Sequence, residues 1–152
     1  MSTPDRAAPG TRATYRAFFP VTTRWMDNDP YGHVNNVVYH AWFDTAVNRF
    51  PIGNGLLDIA NSPVIAVMAE NFCRYHSEIS YPDEVTIGVR VGRLGRSSVR
   101  YESGAFRGDA DVASAEGYLV HVYVERATMR PVPIPDDARA ALATITVKSG
   151  TV

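Results

Sequence analysis

One cysteine, almost no net charge and no long apolar run mark this 152-residue chain, and each shortage removes a class of function. Cys73 alone permits no internal disulfide, which fits a reducing compartment, and the lack of any Cys-x-x-Cys pair leaves no zinc ribbon. A formal charge of -1 lacks the basic excess of a nucleic-acid or anionic-membrane binder, so a substrate anion must be met by local cations. No stretch approaches the ~18 apolar residues that span a bilayer, and the opening MSTPDRAAPGTR lacks the ~7 to 15 apolar residues at the heart of a secretory signal. These absences predict a cytoplasmic protein that binds neither nucleic acid nor membrane. Familiar catalytic strings are missing too. Without GxSxG, HExxH, GxxxxGK[ST] or GxGxxG, the serine-hydrolase, zincin and nucleotide-binding readings have no anchor.

What is present is a globular composition, 45% hydrophobic with 11% aromatic and 20% charged residues, in a length that favours one domain with a sizeable core. Residues 1–12 are rich in Pro, Ser, Thr and Gly and predict a loose tail; the domain is expected over residues 13–146, with 147–152 as a C-terminal tail. From Tyr15 the segment YRAFFPVTTRW reads as a strand, broken by a polar loop from Asp27 to Asn36 that contains Pro30 and Gly32. Beyond it, Tyr39, Trp42, Phe43, Ala46, Val47 and Phe50 form one wide helical stripe, capped by Asn35 or Asn36 and stopped at Pro51. Val85, Ile87, Val89 and Val91 alternate with polar or small residues, as in a strand with one buried face.

The runs 64–75, 97–107 and 114–126 read as further strands, separated by turn signals at Tyr81-Pro82-Asp83, Gly95-Arg96 and Gly108-Asp109. Ile134, Ala138, Leu142 and Ile145 place a short second helix after PVPIP, with acidic residues in its first turn. The order β-α-β-β-β-β-α, with short turns between consecutive strands, predicts an α+β fold in which one curved antiparallel sheet wraps around a long central helix. No repeat, low-complexity block or long charge run interrupts it.

Between Arg24 and Tyr39 the chain crowds two carboxylates, a histidine and three asparagines just before a helix start. Unpaired N–H groups and about half a positive charge at a helix N-terminus suit a bound carbonyl or a developing oxyanion, and a carboxylate beside them can attack or activate water. The same residues also suit a plain capped turn, with Asp27 and Asp29 bonding their own backbone and Asn35 capping the helix. A calcium loop fits less well. Asp27, Asp29 and Gly32 open the pattern, but Pro30 interrupts it, Tyr31 replaces a ligand and Val38 stands where the final Glu belongs. Asp29 and His33 lack a visible third ligand, so no metal is predicted. Cys73 lies in an apolar strand pattern and reads as inert packing rather than a nucleophile.

The string DNDPYGHVNNVVYHAWFDTA, residues 27–46, resembles the signature region of the hotdog-fold acyl-CoA thioesterases, specifically the 4-hydroxybenzoyl-CoA thioesterase family. That family's pattern is an Asp, a Gly, often His-Val-Asn-Asn, then a Tyr on the central helix. AENFCRYHSEI, Tyr-Pro-Asp-Glu, Leu-Gly-Arg-Ser-Ser and the late Arg-Pro-Val-Pro-Ile-Pro stand where the family has its equivalents, so the likeness covers roughly residues 13–145. It implies a hotdog fold and hydrolysis of an acyl-CoA or aryl-CoA thioester to free acid and CoA, with no cofactor or metal. Asp29 is then the catalytic carboxylate, as nucleophile or base, and the backbone N–H of Asn36 polarises the thioester carbonyl. His33 and Asn35 shape the loop, with His33 placed to bond substrate or water. Plant-type acyl-carrier-protein thioesterases carry a related Asp, Asn, His loop; here Tyr31 occupies the position of that Asn, which argues against the same triad.

Tyr39 and Trp42 fit either core or acyl-pocket lining, and Tyr75, His76 and Glu78 either a groove or an exposed edge. For CoA phosphates, Arg96, Ser97, Ser98 and Arg100 offer a turn of cations and hydroxyls, and Arg126 and Arg130 are alternatives. A solvated hairpin explains the former equally well. The family pairs sheets edge to edge, so a homodimer or homotetramer is expected. Two other classes fit the loop: a hotdog enoyl-CoA hydratase, which releases no thiol, and a non-enzymatic acyl-CoA binder.

Overall fold

A computed structural model describes residues 6–148. Its elements follow the expected order: β1 (Ala17–Thr22), α1 (Asn36–Gly53), β2 (Val64–Tyr75), β3 (Glu84–Leu94), β4 (Ser98–Arg107), β5 (Ala115–Glu125) and α2 (Asp136–Ala143). The strands form one antiparallel sheet in the order β1-β3-β4-β5-β2. α1 touches all five strands, and this is the hotdog arrangement. Its six stripe residues, from Tyr39 to Phe50, are all buried against Ile87, Val89, Val91, Tyr101 and Leu119 of the sheet. Burial of each large apolar side chain is worth roughly 1.5 to 3 kcal/mol, so the stripe is the main anchor of the helix.

α1 begins where Asn35 accepts the Val37 N–H at 3.1 Å, but it does not stop at Pro51. The proline forfeits its own N–H bond, yet the last turn survives because the Asn54 backbone and side chain both donate to the Phe50 carbonyl, at 3.2 and 2.7 Å. Ile134, Ala138, Leu142 and Ile145 are buried around α2, as their spacing predicts.

β3 departs from the one-faced pattern: residues 87–92 are buried without a break. The outer face is covered by a segment distant in sequence. The Tyr15 ring lies over Gly88 and Gly104, where a side chain on either glycine would collide with it. Its hydroxyl donates to Glu116 at 2.5 Å, and the Arg90 guanidinium stacks on the ring at 4.6 Å. This cover also fixes part of the expected N-terminal tail. Gly10 donates to Glu116 at 2.8 Å, and Arg12 bonds the Asp111, Ala110 and Gly108 carbonyls. Val147, assigned to the C-terminal tail, likewise donates to Val91 at 2.9 Å. Residues 1–5 and 149–152 of those tails lie outside the described residues.

Candidate active site

The loop before α1 is built on Asp27, which is 1% exposed. Its carboxylate accepts the Arg24 backbone N–H at 2.8 Å and the Arg24 guanidinium at 2.8 and 2.9 Å, while its carbonyl accepts the Asn35 N–H at 2.8 Å. Asp27 is thus a structural carboxylate. Three bonds fasten the loop to residues 79–81: Val34 N–H to the Ile79 carbonyl at 2.8 Å, Ser80 hydroxyl to the Gly32 carbonyl at 2.9 Å, and Tyr81 N–H to the Asn28 side chain at 3.0 Å. Gly32 takes φ +84°, the left-handed conformation that lets the chain reverse. The reversal is closed by Asp29 N–H to the His33 carbonyl at 2.8 Å and Gly32 N–H to the Asp29 carbonyl at 3.0 Å.

Asp29 is half-buried, and its two oxygens differ. Oδ1 accepts the Tyr31 N–H at 2.9 Å and the His33 N–H at 3.4 Å; Oδ2 makes no hydrogen bond among the described residues. The capped-turn reading therefore accounts for one oxygen and leaves the other available to a substrate or a water. His33 places Nε2 3.0 Å from the Glu78 carboxylate, a pair open to solvent. Asn35 uses its side-chain oxygen for the cap, so it orients the helix start. Asn36 is the first helical residue, where a backbone N–H has no partner within the helix; its carbonyl accepts the Tyr75 hydroxyl at 2.7 Å.

Behind this rim, the rings of Tyr39 and Tyr75 meet edge to face at 5.1 Å, and Tyr39 meets Trp42 at 5.2 Å. Tyr39 is 3% exposed and forms part of the core; burial pushes its phenol up to about 12. Cys73, beside both tyrosines, is pushed up to about 11 by burial, so at neutral pH it is a protonated, inert thiol. The loop end of the fold thus offers one carboxylate oxygen, a helix N-terminus and an apolar wall. That set suits polarisation of a carbonyl with attack by a carboxylate or a water.

Not every sequence candidate gathers here. Arg96, Ser97 and Ser98 occupy the β3–β4 turn, whereas the Asp29 loop docks beside the opposite, Glu84 end of β3. Eleven strand residues separate those ends, roughly 33 Å at ~3.3 Å per step, so within one chain the hairpin does not meet Asp29. Arg126 is engaged with the Ser62 and Ile59 carbonyls, at 2.7 and 2.8 Å. Among the described residues no group of three or more His, Cys, Asp and Glu is placed to hold a metal, and no helix is long and apolar enough to cross a membrane. A cavity lined by His121, Tyr101 and Tyr123 had no counterpart in the sequence reading. Its one sequence signal is a polar residue in the inward row Leu119, His121, Tyr123 of β5.

A family model described as the thioesterase-like superfamily matches residues 21–142. The chain belongs to that superfamily. Among solved structures, the PA5185 protein of Pseudomonas aeruginosa strain PAO1 is 46% identical, with a TM-score of 0.90, covering 93% of this chain and 99% of that one. A thioesterase from Thermus thermophilus, crystallised with coenzyme A and Zn, is 31% identical over 87% of this chain and 95% of its own, with a TM-score of 0.73. A thioesterase-superfamily protein from Jannaschia sp. CCS1 shares the fold at 24% identity, with a TM-score of 0.78 over 94% of this chain and 96% of that one. No curated protein matches the chain. Membership in the superfamily supports a hydrolase.

Proposed function

We propose that this chain is an acyl-CoA thioesterase of the 4-hydroxybenzoyl-CoA thioesterase type, cleaving an acyl- or aryl-CoA to free acid and CoA. The observation that carries this reading is the Asp29 Oδ2, which no protein group occupies, held beside the N-terminus of α1. The thioester carbonyl oxygen accepts the Asn36 N–H. Asp29 then takes a proton from the water that attacks the carbonyl carbon, or attacks it directly to form a mixed anhydride that a water hydrolyses. Either way one water is consumed, the C–S bond breaks, the thiolate leaves and is protonated, and a carboxylic acid remains with Asp29 restored. His33, paired with Glu78, supplies a further polar group at the mouth. The chemistry calls for no cofactor and no metal.

The coenzyme A in the Thermus structure supports a CoA-type ligand. Because the Arg96, Ser97, Ser98 hairpin is remote from Asp29 in its own chain, it serves the CoA phosphates of a partner protomer's site. The assembly is a homodimer or homotetramer, joined along the free edge of β2. The deciding experiment is thiol release from a panel of aryl-, short-, medium- and long-chain acyl-CoAs by wild type and Asp29→Asn. Loss of a group acting as base or nucleophile typically costs ~100 to 10,000-fold in kcat, with a smaller change in KM. Wild-type turnover by Asp29→Asn would overturn the assignment of Asp29; consumption of an enoyl-CoA without thiol release would point to hydration instead.

A further inference from the structure

At the far end of α1 from Asp29 lies a cavity of about 230 Å³ between that helix, α2 and the β2–β5 strands. Asn48 lines it twelve residues beyond Asn36, so ~18 Å of helix at ~1.5 Å per residue separates it from the Asn36 N–H. Most of its wall is apolar, including Pro51, Leu57, Ile65 and Ala66. Its floor is not. His121 is 5% exposed, meets Tyr101 edge to face at 5.4 Å, and makes no hydrogen bond through either ring nitrogen among the described residues. Neither nitrogen is sealed in the core, since Ser103 Oγ alone among the described residues is a buried side-chain polar atom without a partner; the imidazole instead opens on the cavity, where a bound molecule can meet it.

Two charged side chains stand in the lining: Arg126, whose guanidinium donates to the Ser62 and Ile59 carbonyls, and Asp137, whose Oδ1 accepts the Ala138 N–H. Burial keeps His121 below its ordinary value, hence neutral, with Asp44 opposing the shift. A neutral imidazole offers one donor and one acceptor, and Tyr101 and Tyr123, whose hydroxyls bond each other, line the cavity with it.

We propose that this cavity is a second small-molecule site, separate from the Asp29 loop of its own chain, for an uncharged molecule the size of a fused two-ring aromatic that seats one hydroxyl or carbonyl against His121. A carboxylate such as the acid product is disfavoured, because the Asp137 carboxylate repels it and Arg126 is committed to the Ser62 and Ile59 carbonyls. The proposal does not depend on the chain hydrolysing thioesters.

The test is calorimetric titration of the intact protein with 2-naphthol, naphthalene and 2-naphthoate, with and without excess CoA. The expected order is 2-naphthol tighter than naphthalene, with 2-naphthoate weakest and CoA without effect. In His121→Phe, which keeps the volume and removes the polar group, 2-naphthol should bind about tenfold more weakly while naphthalene is unchanged. In Ala66→Phe, which fills the cavity, all three should be lost; melting curves for both variants confirm that they fold. No saturable 2-naphthol binding, equal binding to wild type and His121→Phe, or displacement by CoA would each overturn the proposal.

Discussion

Asn35 fixes the direction in which the first N–H groups of α1 point, because its Oδ1 closes the cap on Val37 while its own N–H is held by the Asp27 carbonyl. The resemblance gave it a place in the loop; the structure shows it capping the helix, and in the proposed mechanism it acts by aiming the Asn36 N–H. Asn35→Ala should cost ~1 kcal/mol of stability, the ordinary value of an N-cap, and should also lower kcat because the carbonyl-binding N–H loses its aim. Asn35→Asp keeps the cap and should restore both. Urea unfolding and thiol release on the two variants check this; an Asn35→Ala variant with lowered stability and unchanged kcat would leave the cap purely structural.

At the scale of elements, β2 and β5 run so close at Gly117 that any side chain there would overlap the Phe72 carbonyl and press on Phe43 of α1. Gly117→Ala should therefore destabilise by ~1 to 3 kcal/mol, as overpacking does, whereas Gly53→Ala, which meets nothing, should be near neutral. Chemical denaturation of both would show it, and equal stabilities would mean that the strands part without cost. The strands themselves were legible because alternation and turn residues are local signals: β2 spans 64–75, the run marked out by its composition. The double burial of β3 was not, since it depends on Tyr15 arriving from seventy residues away to cover Gly88. The loop motif likewise announced Asp29, but the position of the Arg96 hairpin relative to it follows from strand length and curvature. The His121 cavity needs five elements, α1, β2, β4, β5 and α2, in place before it exists.

The whole molecule buries several titratable side chains in their neutral forms, and this sets a pH window for its stability. His121 sits below its ordinary 6.5 because burial penalises the imidazolium, so the unfolded chain binds that proton more readily. Its contribution is present above pH 6.5 and is lost as pH falls below it. Burial moves Cys73 from 9.0 to about 11 and Tyr39 from 10.0 to about 12, and it raises Tyr15 and Tyr101 as well. For these groups the folded state is the one that holds the proton, so their contribution is complete below pH 9 and disappears as pH rises from 9 toward 12. The urea midpoint should be flat from about pH 7 to about pH 9 and fall on both sides, with the slope set by the difference in bound protons. His121→Phe should flatten the acid limb between pH 6.5 and 5 and leave the alkaline limb in place. An alkaline limb that is absent, or an acid limb that survives in His121→Phe undiminished, would mean that these groups reach water in the folded protein.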